Sequence, residues 1–264
     1  MRTGATEIED KLPVHFNTTF QCYSDLLVFS DFGEQFLGLK VHDVLNLVDA
    51  KVKDTHEDFE LYRRLQNEGR ANILEEFGDP VTVDRDKKGH ADHPGWRLDK
   101  WKFLPMMVET LRLHPDKLFY VFVETDSYLV WSNLLQWFEQ LDPTKPLYAG
   151  SEVMMGRDMF AHGGSVFVMT KSAVELAAKT YVEQKDAWDH IVDVGWAGDA
   201  VLGKLLASAG APLTPTWPMI QGGIPEKMNF ADGKENKDLF CAPALSYHHL
   251  TPGEVARMWD FEQK

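Results

Sequence analysis

The sequence predicts an α/β protein, and the prediction rests on short apolar runs that alternate with helical segments. Residues 26–30, 118–123 and 166–169 are each rich in Val, Phe or Leu and are too short for buried helices. Between them, apolar residues recur with the spacing of amphipathic helices. Alternating strands and helices favour one mostly parallel central sheet with helices on its faces.

The composition argues against several classes of partner. With 264 residues, 44% of them hydrophobic, the chain can bury a substantial core in one large domain or two small ones. Its net charge of −14 argues against nucleic acid and against anionic membranes. No run of 18 apolar residues and no signal peptide is visible, so the sequence predicts no membrane span.

An acidic residue follows the first apolar run. Asp31 comes directly after residues 26–30, and Phe32 and Gly33 lead into a turn. One interpretation is that Asp31 is a carboxylate at a strand end, where α/β proteins bind ligands. The other is that it is a turn former whose side chain bonds its own backbone.

Two helices are expected between the first run and the second. One covers residues 55–77, and the other covers residues 96–113 with an interruption at Pro105. Lys100 and Lys102 lie on the second helix. Each of these lysines either reaches an anion or is solvated, as lysines on helices usually are.

The segment that separates these helices, residues 78–95, is polar and rich in Asp, Lys, Gly and His. It contains His90, Asp92 and His93, which are residue types that bind metals. We interpret it as an exposed loop instead, because no further ligand has a suitable spacing.

The central apolar run leads directly into two carboxylates, Glu124 and Asp126. Charges are excluded from a strand buried on both faces, so both lie at its C-terminal end, which faces the ligand crevice in open α/β sheets. Two carboxylates one residue apart can share a hard divalent cation. Alternatively, they only begin the next helix, since acidic residues favour helix N-termini.

Two later motifs contain residues suited to contact a ligand. Gly163 and Gly164 precede the run at 166–169, and paired glycines either let the backbone approach a ligand or form a plain turn. Asp199 immediately precedes a helix expected over residues 200–209. It is a candidate catalytic group or only the N-cap of that helix.

Two helix starts have the spacing of a capping box, in which the first and fourth residues bond each other's backbone. Ser172 and Glu175 predict one at the helix after the third apolar run. Thr251 and Glu254 predict another at the last helix, with Pro252 in its first turn.

The chain contains two cysteines, Cys22 and Cys241. We expect them to form a disulfide if the protein is lumenal. Two buried thiols are the alternative that fits the same sequence.

Taken in order, the motifs resemble those of the fringe-like branch of inverting β-1,3-glycosyltransferases, which includes fringe and the core 1 galactosyltransferase. The similarity extends over nearly the whole chain and is strongest to fungal members of that branch. Five segments carry it: the end of the first strand, an Asp-x-Asp-type metal motif, a Gly-Gly donor loop, an acidic-Asp-x-x-Leu-Gly segment and a C-terminal Ser-Phe-His element. They correspond to residues 1–4, 124–128, 160–164, 198–203 and 246–249.

The resemblance implies a single catalytic domain of the GT-A type over residues 1–264, lacking the start of its first strand and any N-terminal membrane anchor. It also implies location in the lumen of the Golgi or secretory pathway, with the full-length form a type II membrane protein. The implied reaction moves a sugar from a UDP-sugar to a hydroxyl of a glycan or glycoprotein and forms a β-1,3 linkage.

The resemblance further implies a role for each motif. Mn²⁺ would bridge the donor diphosphate to Asp126 and neutral His248, and Asp199 would take the proton from the acceptor hydroxyl. His249 is expected to matter less than His248. Lys102 is an alternative to Lys100 as a diphosphate contact. The implied donor-binding residues are Thr3, Gly4, Asp31, Lys100, Glu124, Thr125, Gly163 and Gly164.

Two positions depart from the family pattern. The metal motif begins Glu124-Thr125 where the family has Asp residues, and Gly198 stands where the family has an acidic residue before its catalytic Asp. These departures leave open a catalytically degenerate member that only binds glycans or a partner. A metal-dependent hydrolase of nucleotide-sugars is the other alternative. Neither the donor sugar nor the acceptor follows from the sequence.

Overall fold

The computed structural model describes residues 1–23, 25–74, 93–231, 233–234 and 237–264. It is a mixed α/β structure, which confirms the predicted class. The helices are α1 (Ile8–Lys11), α2 (Pro13–Phe16), α3 (Ala50–Thr55), α4 (Glu60–Glu68), α5 (Pro94–Asp99), α6 (Phe103–Leu113), α7 (Trp131–Phe138), α8 (Lys171–Glu183), α9 (Lys185–Val194), α10 (Gly198–Ser208) and α11 (Pro252–Glu262). The strands are β1 (Val28–Ser30), β2 (Glu34–Phe36), β3 (Leu39–Asp43), β4 (Phe119–Phe122), β5 (Tyr128–Leu129), β6 (Tyr148–Gly150), β7 (Glu152–Met155), β8 (Asp158–Ala161), β9 (Phe167–Thr170), β10 (Leu213–Pro215), β11 (Gly233–Lys234), β12 (Lys237–Asp238) and β13 (Ser246–Tyr247).

Two sheets form the centre of the fold, and the N-terminal segment joins them. One has the strand order β1-β3-β2 and the other β10-β6-β9-β4. Arg2 forms parallel bridges to Phe29 in β1 and to Glu124 just beyond β4. The Arg2 amide donates to the Val123 carbonyl at 2.8 Å, and the Thr3 amide donates to the Phe29 carbonyl at 3.0 Å. The first residues of the chain therefore lie between the two sheets.

The expected mostly parallel arrangement is wrong at strand β9, which runs antiparallel to both β4 and β6. The connection from β6 to β9 consists of the hairpin β7–β8 and a short 3-10 turn instead of a crossover helix. Parallel neighbours require a long crossover, whereas antiparallel neighbours need only a hairpin-type connection. The short apolar runs indicated the strands but not their direction.

The helix boundaries differ from the predicted ones where the backbone has special geometry. Of the described part of the helix expected over 55–77, the segment that follows Thr55, the last residue of α3, forms an α-helix only in α4, which ends at Gly69, a residue with a positive φ of 77°. Pro105 interrupts nothing, because it lies in the first turn of α6, where its missing N–H has no helical partner. The break falls between α5 and α6 instead.

One of the two predicted capping boxes forms. The Thr251 and Glu254 side chains bond each other's backbone amides at the start of α11. Ser172 does not cap α8, because that helix begins at Lys171 and its N-cap is Thr170. The Thr170 hydroxyl donates to the Lys145 carbonyl and accepts the Leu147 amide instead of an amide of the helix.

The segment predicted to be an exposed loop lies mostly outside the described residues. This applies to His90 and Asp92. His93 is described, and its Nδ1 accepts the Gly95 amide at 3.2 Å, so it caps α5.

The predicted disulfide is wrong. Cys22 is half-buried, Cys241 is exposed, and both are free thiols. A disulfide requires Cα atoms roughly 4.4–6.8 Å apart, a condition that residue type and compartment do not establish. Among the described helices, none combines the length and the apolarity needed to cross a membrane.

Candidate functional site

A two-stranded pairing brings the C-terminal segment to the end of β4. Strand β5 pairs antiparallel with β13, with Tyr128 opposite Tyr247. Beyond this pair, the Leu250 amide donates to the Asp126 carbonyl at 2.8 Å. This bond is one residue out of the β5–β13 register and follows His249, which has a positive φ of 60°. The pairing thereby holds Asp126 beside His248 and His249, which follow it by 122 and 123 positions in the chain.

Asp126, His248 and His249 form a cluster in which one ligand atom from each residue lies within 4.8 Å of the others. The Asp126 Oδ1 atom is 3.3 Å from His248 Nε2. A metal with bonds of about 2.1 Å holds neighbouring ligand atoms about 3.0–3.4 Å apart, so this separation fits a shared cation. Within the described part of the chain, the buried Asp126 Oδ1 and His248 Nδ1 accept or donate no hydrogen bond.

The charges around Asp126 keep it ionised. Its Oδ2 atom lies 3.3 Å from the Lys11 ammonium, which also contacts Glu7 at 2.7 Å. Burial alone would raise the pKa of Asp126, but its interactions with His248 and with the Lys11 ammonium outweigh burial and hold that pKa well below its ordinary range. One carboxylate oxygen is therefore paired with Lys11, and the other faces the histidines.

Glu124 has a different neighbour from Asp126. Its Oε1 atom forms an ion pair with Arg2, while its Oε2 atom is 3.6 Å from His248 Nε2. Arg2 is 6% exposed, also pairs with Asp99 and lies 4.0 Å from the centre of the Phe103 ring. The charge of Glu124 is thus balanced by protein. No sequence pattern indicated this role for Arg2, although Arg2 belongs to the segment that resembles the end of the family's first strand.

The paired glycines lie between Asp199 and the cluster of Asp126, His248 and His249. The Gly163 amide donates to Asp199 Oδ2 at 2.8 Å. A Cβ atom at Gly163 would lie 2.7 Å from the Phe103 ring, and one at Gly164 would overlap the His248 ring. Side chains are therefore sterically excluded at both positions. The turn touches the carboxylate on one side and the imidazole on the other.

Two buried serines hold this turn, and the residue that follows it has a strained backbone. The Ser127 hydroxyl donates to the Gly164 carbonyl at 2.6 Å, and the Ser246 hydroxyl donates to the Ser165 carbonyl at 2.8 Å. Val166 follows with a φ of 71°, a conformation that β-branched residues rarely adopt. Such strain persists only where surrounding contacts determine the backbone.

Asp199 is not the N-cap of α10, so that alternative is wrong. The N-cap is Ala197, and Asp199 is the second residue of the helix. Its two oxygens accept the amides of Gly163 and Ala200, each at 2.8 Å. Burial raises the pKa of Asp199 despite these hydrogen bonds and the nearby charge of Arg2. A carboxylate with a raised pKa is a stronger base once ionised.

Gly198 has a steric explanation. A Cβ atom there would overlap the Lys100 carbonyl oxygen and the Phe103 ring, and it would lie 2.8 Å from the Lys100 Cα. The start of α10 therefore packs directly on the backbone between α5 and α6. An acidic side chain at this position would require the backbone to move.

Lys102, and not Lys100, lies among the residues expected to bind the donor. Lys102 is 3.2 Å from Asp31 and donates to the Thr3 carbonyl at 2.9 Å; Lys102 and Asp31 are each 1% exposed. Lys100 instead contacts Asp58 at 2.9 Å and the Asp193 carbonyl at 2.9 Å. The Gly4 amide, next to Thr3, donates to Glu7 Oε1 at 3.0 Å.

A buried histidine supports the backbone of the metal motif. His15 Nε2 lies 2.8 Å from the Thr125 carbonyl and Nδ1 lies 2.8 Å from the Thr19 hydroxyl. Because a carbonyl only accepts, the Nε2–H donates to it and Nδ1 accepts from Thr19. Burial lowers the pKa of His15 and favours this neutral form. The Thr125 hydroxyl in turn reaches the Thr3 hydroxyl at 3.4 Å. An isolated histidine in an amphipathic segment gave no sequence signal for this role.

Fold and site together define an α/β protein with an Asp–His cluster at the end of a central strand and a second carboxylate across a Gly-Gly turn. No protein-family model matches the chain.

Proposed function

We propose that the chain is an inverting, metal-dependent glycosyltransferase that moves a sugar from a UDP-sugar to a glycan hydroxyl, forming a β-1,3 linkage. One observation carries the proposal. The Gly163–Gly164 turn contacts the Asp199 carboxylate through one glycine and the His248 ring through the other. A sugar lying against this backbone would have a base on one side and a metal-bound diphosphate on the other.

Asp126 and His248 are the residues suited to hold the cation, with His249 beside them. Among the described residues, Asp126 Oδ1 has no hydrogen-bond partner, and it lies 3.3 Å from His248 Nε2; both observations support this assignment. When bound, Mn²⁺ neutralises the charge that develops on the leaving diphosphate. One carboxylate and two imidazoles form a ligand set that manganese and other first-row transition metals accept.

Asp126 and Asp199 have different environments, which suit them to different roles. Neighbouring positive charge lowers the pKa of Asp126, so it stays ionised as a ligand. Burial raises the pKa of Asp199, so it is the better proton acceptor. Carboxylates whose pKa values are shifted in opposite directions commonly have separate roles in one site. Asp199 would take the acceptor proton as the hydroxyl attacks.

The two departures from the family pattern do not favour a degenerate protein. Gly198 is accounted for by its contact with the Lys100 backbone. Glu124 is neutralised by Arg2, so it needs no metal to balance its charge. A direct diphosphate contact by Lys100 is not part of the proposal, since Asp58 and a backbone carbonyl occupy its ammonium.

The test is calorimetric titration of uridine diphosphate with and without Mn²⁺. We expect binding only with Mn²⁺, and we expect Asp126→Ala to abolish it, because the diphosphate would then face carboxylates without a cation. Asp260→Ala, at an exposed position on α11, is the matched control and should bind as the wild type does. Equal affinity of the wild type and Asp126→Ala would contradict the metal assignment.

A donor screen then separates transfer from the alternatives. Each UDP-sugar is incubated with Mn²⁺ and with or without a panel of glycosides, and UDP release is measured. Release that requires an acceptor supports a transferase. Release that is independent of acceptor favours a hydrolase, and binding of uridine diphosphate without any release favours a degenerate member.

A further inference from the structure

Two tryptophans from distant parts of the chain meet at the surface beside the site. The Trp96 and Trp196 ring centres are 5.3 Å apart, with the rings tilted by 57°. Trp196 is 55% exposed, and Trp96 is half-buried. A single exposed apolar side chain is common on protein surfaces and needs no explanation. Here two indoles are in contact, so they present a continuous apolar surface next to a polar site.

Each tryptophan lies three residues before an aspartate of the candidate site. Trp96 and Asp99 are on one face of α5, since residues three apart in a helix are neighbours. Trp196 precedes Asp199 across the start of α10. Asp99 pairs with the Arg2 guanidinium, which also pairs with Glu124, so the carboxylate beside Trp96 lies at the candidate site. Its negative charge also contributes to raising the pKa of Asp199. The aromatic pair and the acidic pair are thus adjacent.

Gly198 makes this arrangement possible. Its missing side chain lets the start of α10 pack on the Lys100 backbone, directly after α5. The Lys100 ammonium also donates to the Asp193 carbonyl in the last turn of α9 at 2.9 Å. This bond holds the end of α9, from which the chain continues to Trp196. A close backbone contact therefore holds the two indoles together.

We propose that Trp96 and Trp196 form a platform that binds a sugar ring of the acceptor glycan, an inference that rests on the proposed transferase function. A pyranose has a C–H face and a rim of hydroxyl groups. The C–H face matches an exposed indole, whose large rigid surface stacks with little loss of conformational entropy. The rim hydroxyls are donors, and they match Asp99, whose carboxylate pairs with Arg2 yet stays 34% exposed. An apolar peptide would match the indoles but would offer this carboxylate no donor in place of water.

The binding test follows the tryptophan indole N–H signals by ¹⁵N NMR. The chain has eight tryptophans, and the signals missing from Trp96→Phe and Trp196→Phe assign the pair. Methyl glycosides of hexoses and N-acetylhexosamines are titrated in the presence of uridine diphosphate and Mn²⁺. We expect at least one glycoside to shift the Trp196 signal while the signal of Trp137, which packs against the core, stays in place. If no glycoside shifts Trp196, the proposal is overturned.

The functional test compares Trp196→Ala with Phe261→Ala, which removes an exposed aromatic side chain from α11. We expect Trp196→Ala to raise the acceptor KM about 10-fold, with uridine diphosphate affinity and kcat nearly unchanged. Phe261→Ala should match the wild type. An unchanged acceptor KM in Trp196→Ala would show that the pair is only surface packing. Failure of the wild type to bind uridine diphosphate with Mn²⁺ would instead overturn the proposed function and the platform with it.

Discussion

Two charged clusters flank the N-terminal segment, and they differ in whether their atoms are paired. In the first, Lys102 bonds Asp31 and the Thr3 carbonyl, and all three groups are buried. In the second, the buried Asp126 Oδ1 and His248 Nδ1 accept or donate no hydrogen bond within the described residues. Buried polar atoms without partners are costly and rare in native structures.

The difference between the two clusters separates buried charges that stabilise the fold from buried charges that are suited to bind a ligand. A complete buried ion pair is explained by the fold alone, because removing either partner leaves an unpaired charge. An incomplete cluster is explained by a ligand that supplies the missing partner. We therefore expect substitutions in the first cluster to affect stability and substitutions in the second to affect binding and turnover.

The largest expected effect is on the stability of the first cluster. Lys102→Met leaves Asp31 buried without its cation, and we expect it to lower the free energy of unfolding by about 3–5 kcal/mol. Urea denaturation measures the change. Lys145→Met, at an exposed ion pair, should change the free energy of unfolding by less than about 1 kcal/mol. A similarly small change for Lys102→Met would show that the buried pair is not structural.

Asp199→Asn should have the next largest effect, and on turnover. The amide cannot accept the acceptor proton, so we expect turnover to fall by about 100-fold or more. The variant also keeps one acceptor oxygen for two backbone amides, so unfolding free energy should drop by about 1 kcal/mol. Uridine diphosphate binding should survive.

The pH dependence of kcat/KM checks the same residue. In the proposed reaction, Asp199 would act as a base only when ionised, and burial raises its pKa above the ordinary 3.8. On the acidic side of the wild-type profile, kcat/KM should therefore fall at a pH above 3.8. The loss should occur as the pH drops through the raised pKa of Asp199. Near wild-type transfer by Asp199→Asn would mean that the base is another residue.

Gly198→Ala tests the contact that positions Asp199. The added methyl group would overlap the Lys100 carbonyl, so we expect unfolding free energy to drop by about 1–3 kcal/mol and turnover to fall with it. Gly253→Ala is the matched control, because Gly253 is an exposed helical position where an added Cβ atom would meet only the Arg257 side chain, at an ordinary contact distance of 3.7 Å. It should be neutral or slightly stabilising. Equal behaviour of the two variants would contradict the close packing at Gly198.

The smallest expected effect distinguishes the two adjacent histidines. His248→Ala should weaken Mn²⁺ binding by roughly 10-fold or more, because His248 is buried against Asp126. His249→Ala should weaken it less, since His249 is exposed although it belongs to the cluster. Exposed His190→Ala is the control. Titration of Mn²⁺ followed by electron paramagnetic resonance gives the three affinities, and no loss in His248→Ala would remove that residue from the ligand set.

Local sequence patterns determined the class of the protein and part of the site. Short apolar runs indicated β4 and β9, and the exclusion of charge from a buried strand located Glu124 and Asp126 at the end of β4. The Thr251–Glu254 capping box formed because both partners lie within one helical turn. These features depend on neighbours in the chain, so the chain alone specifies them.

The tertiary structure decided everything that depends on contacts between distant residues. The direction of β9 follows from its connection, and the pairing of β5 with β13 brings His248 and His249 to Asp126. The partners of Arg2, His15 and Lys102 lie in other elements, so no local pattern revealed them. In the sequence, Gly198 stands where the resembled family has a carboxylate. The structure gives the physical reason for a glycine there, because residue 198 packs against the backbone of Lys100.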